Sequence, residues 1–190
     1  YNLFQVLLNP GDEVLIPGPY WLSYPEMASL AGASTTTVPS IATTGFSLDL
    51  DALEARIRPN SKLLVINSPG NPTGRVMAKS ELEALAELMT RHPQLMVMSD
   101  EIYEYLLDDG EQHHSIAAIA DGLRERCFTV NGFAKGWAMT GWRLGYIAGH
   151  QQVIKAAAAL QSQSTSNVCS CAQRGALAAI RGSRDGVHEM

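Results

Sequence analysis

A chain of 190 residues, 46% hydrophobic and 17% charged, can bury about 70% of its unfolded surface and has the balance of a globular protein, not a disordered one. Its formal charge of −5 argues against a general nucleic-acid binder, whose phosphate contacts need a basic face. No apolar run approaches the ~18 residues of a membrane span, and the first residues lack the basic segment and cleavage site of a secretory signal.

The pattern opens with Leu3, Phe4, Leu7 and Leu8 at helical spacing. Short apolar runs then predict strands at Glu13–Ile16, Ser34–Val38, Leu63–Asn67, Leu95–Ser99, Cys127–Val130 and Arg143–Ala148. Between them, Asp51–Ile57 reads as a helix with Asp51 and Glu54 at its start. Ser80–Arg91 reads as another, opened by a capping box of Ser80 and Glu83. Alanine-rich helices are predicted at Gln151–Gln163 and Val168–Arg181. Strands alternating with helices predict an α/β fold, a mostly parallel sheet covered by helices. Tyr1 has no capping residue before it, and 182–190 is a polar run that closes no element, so both ends are expected to continue in a longer parent chain.

Cys127, Cys169 and Cys171 form no CxxC pair and are odd in number. Neither a disulfide framework nor a zinc site is expected; a buried structural role for all three and a reducing cytoplasm are.

Asn67, Asn71, Asp100 and Lys135 each stand at or just beyond the C-terminal end of a predicted strand, the edge where open α/β sheets bind ligands. Lys135, among small and aromatic residues in Asn131–Trp137, suits a lysine that forms a Schiff base; the other reading is a snorkelling surface amine. Lys62, Lys79 and Lys155 fit solvent-facing roles. Asp100 could hold a pyridine nitrogen protonated, since opposite charges ~4 Å apart gain about 4 kcal/mol at an effective dielectric of 20, or it could be a helix cap. The 67–74 turn of prolines and glycines could fix Asn71 against a planar ligand, and Tyr103 could donate to the same ligand. Arg143 offers a planar fork of donors suited to phosphate, and Trp21 could stack on an aromatic ring. Taken singly, a surface ion pair and a core tryptophan are the commoner roles for these two.

In this order the segments resemble the class I (fold type I) pyridoxal-phosphate-dependent aminotransferases, nearest the bacterial aspartate aminotransferase branch. The resemblance rests on Asn9–Val14, the Trp21 segment, Asn71-Pro72-Thr73-Gly74, Asp100–Tyr103 and Lys135–Arg143, and runs from Tyr1 to about Ile180. It implies a three-layer α/β/α cofactor-binding large domain over 1–190, partial at both ends, with the small domain absent. It implies pyridoxal 5′-phosphate bonded to Lys135, which also shuttles the substrate proton. Asp100 would pair with the ring nitrogen, and Asn71 and Tyr103 would hydrogen-bond the phenolic oxygen. Trp21 and Ile102 would cover the ring faces, and Arg143 would bind the phosphate. Gly132, Ala134 and Val168 depart from the family's commoner residues and are expected to tune phosphate affinity.

The implied reaction is ping-pong exchange of an amino group between an amino acid, aspartate first, and a 2-oxo acid such as 2-oxoglutarate. The implied parent is a cytoplasmic homodimer, and the fragment alone is expected to be inactive. Another amino acid's transaminase or a β-lyase uses the same scaffold. A non-enzymatic module of a transcription regulator is a third reading.

Overall fold

The computed structural model describes residues 1–189, so Met190, the end of the predicted polar tail, lies outside the described residues. The chain runs α1 (Asn2–Leu7), β1 (Glu13–Pro17), α2 (Ser23–Leu30), β2 (Ser34–Val38), a small hairpin of β3 (Ser40–Ile41) and β4 (Ser47–Leu48), α3 (Leu50–Glu54) and β5 (Ser61–Asn67). It continues through α4 (Lys79–Thr90), β6 (Met96–Asp100), α5 (Ile116–Ile119), β7 (Cys127–Gly132), β8 (Gly145–Ala148), α6 (Gln151–Ser164), α7 (Ser170–Arg181) and α8 (Asp185–Glu189). Among the described residues no helix is long and apolar enough to cross a membrane.

The predicted α/β architecture forms. Six strands make one sheet in the order β2-β1-β5-β6-β7-β8, parallel except for β8, which runs against β7. Its central strands are apolar on both faces because helices cover both, as expected of a parallel sheet. Alternate side chains divide between two cores. Val14, Ile16, Leu63, Val65, Met98 and Phe128 pack against Leu3, Phe4 and Leu7 of α1 and Tyr24 and Ala28 of α2. Leu15, Leu64, Ile66, Val97 and Cys127 face the other way, onto Leu53 of α3, Leu82, Leu85 and Met89 of α4 and Ile116 of α5.

The chain places β2 on one side of β1 and every later strand of the sheet on the other. Between the C-terminal ends of β1 and β5 the connections therefore diverge, and such a switch point opens a crevice. A cleft lies there, lined by Gly18 and Tyr20 after β1, Asn67 and Asn71 after β5, and Tyr24 and Arg75.

Local details differ from expectation for identifiable reasons. The Ser80/Glu83 box does not form, because α4 starts at Lys79 with Ala78 at its N-cap, and Glu83 instead reaches Lys79 across one turn at 3.5 Å. The cap of α3 is Asp49 and not Asp51. Only Asp49 has the extended backbone a cap needs, and its carboxylate accepts the Ala52 N–H at 2.8 Å. That helix closes at Glu54, before Ile57. Helix α2 escaped the pattern because Pro25 sits inside it, in the first turn, where no helical N–H bond is lost. The 182–190 tail, read as closing no element, carries α8. Of the cysteines only Cys127 is buried; Cys169 and Cys171 are exposed.

Leu85 is fully buried between α4 and the sheet. Leu85→Ala is expected to cost about 2–5 kcal/mol of stability in urea unfolding, whereas Leu22→Ala, at a site 74% exposed, should change it by less than about 0.5 kcal/mol.

Candidate functional site

Parallel strands deliver their C-terminal ends to one edge, and the register aligns them there. Asn67 is the partner of Asp100, and Asp100 of Val130. Asn67 stitches this edge together: its Nδ2 donates to the Asp100 carbonyl at 2.9 Å, and its Oδ1 accepts the Asn71 N–H at 2.7 Å. The proline-rich turn is thereby pinned to the strand ends, and the Asn71 amide has no side-chain partner among the described residues.

Asp100 is the charged centre of the edge. Its Oδ2 accepts the Tyr24 hydroxyl at 2.7 Å and its Oδ1 the Ile102 N–H at 3.2 Å. Burial pushes its carboxyl above the usual carboxylate range; the Tyr24 and Ile102 hydrogen bonds pull it down less, and the Glu101 charge adds to the rise. No lysine, arginine or histidine side chain pairs with it among the described residues. Tyr24, 2% exposed, is pushed far above the ordinary phenol range by burial and the Asp100 charge, so it stays a donor. Trp21, 40% exposed, stands edge-on to Tyr24 with ring centroids 5.4 Å apart.

Lys135 follows β7 in a tight turn. Its Nζ lies 5.4 Å from the centroid of the Tyr103 ring, a cation–π contact. The other lysines are spent elsewhere: Lys62 pairs with Asp12 at 3.0 Å, Lys79 with Glu83, and Lys155 is exposed on α6. The turn is closed by Ala138 N–H to the Lys135 carbonyl at 2.9 Å and by Thr140 Oγ1 to the Ala134 carbonyl at 2.8 Å. Arg143 then donates Nη1 to the Thr140 carbonyl at 3.0 Å, and its guanidinium is exposed.

Arg143 was predicted to open a strand. It instead precedes β8 in left-handed backbone at φ 52°, and Ala138 is left-handed too at φ 51°. Such conformations cost a non-glycine residue about 1 kcal/mol or more and cluster at functional turns. Because β8 is antiparallel, with Gly145 opposite Gly132, its beginning lies at the edge where β7 ends. Arg143 reaches that edge from the opposite chain direction. Ile102 also arrives there, its Cδ1 packed 3.3 Å from where a Cβ on Gly132 would sit.

The six predicted site residues fall into two contact groups at the C-terminal ends of the strands. Trp21 touches Tyr24, Tyr24 binds Asp100, Asp100 is tied through Asn67 to Asn71, and Lys135 faces Tyr103 and is linked through Ala134 and Thr140 to Arg143. The cleft at the switch point takes in Asn71 and Tyr24 but not Asp100, Lys135 or Arg143. Tyr24 was missed as a site residue; its signal was a tyrosine one helical turn beyond Trp21, whose hydroxyl needs an acceptor once buried. An aromatic cation with a phosphate tail matches this edge in chemistry: a buried carboxylate short of a cationic side chain, an uncommitted amine, a free amide and an exposed guanidinium.

The sequence profile described as Aminotransferase class I and II matches residues 1–190. The aspartate/prephenate aminotransferase of Cereibacter sphaeroides is 49% identical over 185 residues, covering 97% of this chain and 46% of that protein. The aspartate aminotransferase of Bacillus subtilis is 46% identical over 190 residues, covering 100% of this chain and 48% of its own length. Among solved structures, the aspartate aminotransferase of Rhizobium meliloti superposes with a TM-score of 0.96 at 38% identity, over 99% of this chain and 47% of that one. The chain thus spans about half the length of the relatives it matches.

The raised Asp100 carboxyl carries a pH signature. A folded-state value above the unfolded one means stability that is full below the ordinary aspartate range and is lost as pH rises through the raised value. Asp100→Asn is expected to remove that loss, giving a higher urea midpoint at pH 7 and a flatter profile between pH 4 and pH 7. A wild-type profile flat over that range would contradict it.

Proposed function

The chain belongs to the aminotransferase class I and II family, and on that premise we propose that the protein carrying it transfers an amino group from an amino acid, aspartate first, to a 2-oxo acid. The family implies pyridoxal phosphate; we propose that it is held at the edge described above, by the greater part of a large cofactor-binding domain. The observation that carries this reading is the pairing, on one edge, of an uncommitted lysine amine with a buried carboxylate that has no cationic side chain beside it.

Pyridoxal phosphate, when bound, supplies an electron sink for the pair left at a substrate α-carbon. Lys135 offers the amine that bonds its carbonyl and, once released, a base that takes a proton at Nζ and returns it. Asp100 holds positive charge on the ring nitrogen, an attraction that reverses the effect of burial and keeps the carboxylate ionised. Tyr24 fixes the carboxylate by donating to Oδ2, which leaves Oδ1 and the Ile102 amide to set its plane. Asn71 and Tyr103 would hydrogen-bond the ring oxygen, Trp21 and Ile102 would cover its faces, and Arg143 would bind the phosphate through the guanidinium nitrogens that Thr140 does not use.

Aspartate as amino donor is supported by the names of the relatives from Cereibacter sphaeroides and Bacillus subtilis. The first name also includes prephenate, which widens the acceptor beyond 2-oxoglutarate. Exposed Trp142, Tyr146 and Ile180 support a homodimer, and free cysteines support a reducing cytoplasm.

With added pyridoxal phosphate, the protein is expected to gain a visible absorption band that borohydride abolishes, with the reduced adduct on the Lys135 peptide by mass. Lys135→Ala should lack the band, and a band that persists in that variant refutes the assignment. Arg143→Ala should weaken affinity about tenfold or more, the effect of one charged hydrogen bond. For the full-length protein, oxaloacetate release from aspartate with 2-oxoglutarate and with prephenate decides the acceptor. Release with neither sinks the substrate proposal.

A further inference from the structure

Next to Asp100 stands a second buried acid that the proposed chemistry does not use. Asp100 faces the α1–α2 side of the sheet, where Tyr24 binds it; Glu101 faces the opposite side, towards Cys127. The Glu101 residue is 4% exposed, yet its carboxylate has no arginine or lysine partner among the described residues. It takes three side-chain donors instead. Ser99 Oγ donates at 2.8 Å from its own strand, Ser115 Oγ at 2.8 Å from the residue before α5, and His113 Nε2 lies at 3.2 Å. His113 is itself nearly buried, and its Nδ1 has no partner. The histidine is therefore held by Glu101 and by nothing else polar on its ring.

These contacts close a loop. The segment between Glu101 and Ser115 leaves the sheet and returns, and both of its ends meet on one carboxylate. Within it, Tyr103 faces the Lys135 amine, Glu104 accepts Asn131 Nδ2 at 2.8 Å, and Tyr105 packs on Gly136 and Trp137. A Cβ on Gly136 would lie 2.9 Å from the Tyr105 ring, so the loop and the Lys135 turn are pressed together without room for a side chain.

We propose that Glu101 is a positioning residue: its carboxylate clasps both ends of the 101–115 loop and so holds Tyr103 and Tyr105 against the Lys135 turn. A buried carboxylate costs several kcal/mol to desolvate unless its acceptor sites are filled, and replacing it with an apolar side chain leaves Ser115 and His113 as half-buried donors without an acceptor. The loop end then gains by swinging out to water. The titratable groups facing Glu101 are His113 on the loop and Cys127 on β7, whose thiol burial and the Glu101 charge push up to about 12; its field also reaches Asp100 on the other face of the sheet and Tyr146 on β8.

The proposal rests on the pyridoxal-phosphate reading only for its spectroscopic arm. In Glu101→Leu and His113→Phe, amide hydrogen exchange across residues 102–112 is expected to speed up about tenfold or more, with β5 and β6 unchanged. Acetic anhydride labelling of Lys135, measured against Lys155 by peptide mass, should rise as Tyr103 withdraws. With pyridoxal phosphate bound, the adduct should still trap on Lys135, while the pH midpoint of its visible band moves up by about half a unit or more, because Tyr103 no longer donates to the ring oxygen. Unchanged exchange and labelling in both variants overturns the clasp. Faster exchange with labelling and midpoint unmoved overturns the positioning role. If the wild-type protein forms no band, the cofactor reading fails on its own and the Lys135 labelling ratio decides the clasp. Should Glu101→Leu not fold, His113→Phe, which keeps the carboxylate and removes one donor, gives the same measurements.

Discussion

A carboxylate buried at the end of a strand must be stabilised, or it takes up a proton. In this protein Asp100 is that group, and the edge is arranged around its two oxygens. One is held by a phenol from the helix after β1, the other by the amide two residues on. The strand carrying it is fixed through its carbonyl by Asn67, so the same tie that sets Asp100 also sets the turn bearing Asn71. Burial nevertheless outweighs these bonds and leaves the carboxyl with a raised proton affinity. A cation brought to that spot would restore its charge, which is the electrostatic basis of the proposed ring-nitrogen partner.

The opposite edge of the sheet provides a control. Glu13 at the beginning of β1 is more deeply buried than Asp100, but it is saturated by Arg58 at 2.7 Å, Thr36 at 2.6 Å and Ser61. That acid has a cationic partner and no spare capacity, so its role is to hold β1, β2 and the start of β5 together. At the C-terminal edge Lys135 and Arg143 have no acidic partner among the described residues, the Asn71 side-chain amide makes no hydrogen bond among them, and the backbone accepts left-handed strain at Ala138 and Arg143. Polar saturation with a cationic partner at one end and left-handed strain at the other set the two edges of the sheet apart. Glu101 belongs with neither, since it has no cationic side chain of the Arg or Lys kind and yet lies beside Asp100, on the reverse face of the sheet.

The strands were legible because each is a short apolar run whose alternate residues serve two cores; β5 reads Leu63, Leu64, Val65, Ile66 and buries all four. Lys135, Asp100 and Asn71 were legible because each follows such a run. Helix ends were less so. Several acids or serines can cap a helix, and only the backbone angle chooses among them, as Asp49 over Asp51 illustrates. The hairpin of β3 and β4 left no pattern at two residues a strand.

By itself the sequence determined the α/β architecture and put Asn67, Asn71, Asp100 and Lys135 at strand ends, because periodicity and strand ends are local properties of the chain. Tertiary structure alone decided that Tyr24 reaches Asp100, that an antiparallel β8 returns Arg143 to the edge β7 leaves, and that His113 and Ser115 close on Glu101. Each of these joins residues distant in sequence through a crossing or a loop. Hydrogen-bond partners of that kind are fixed by packing, which no local pattern of residues encodes.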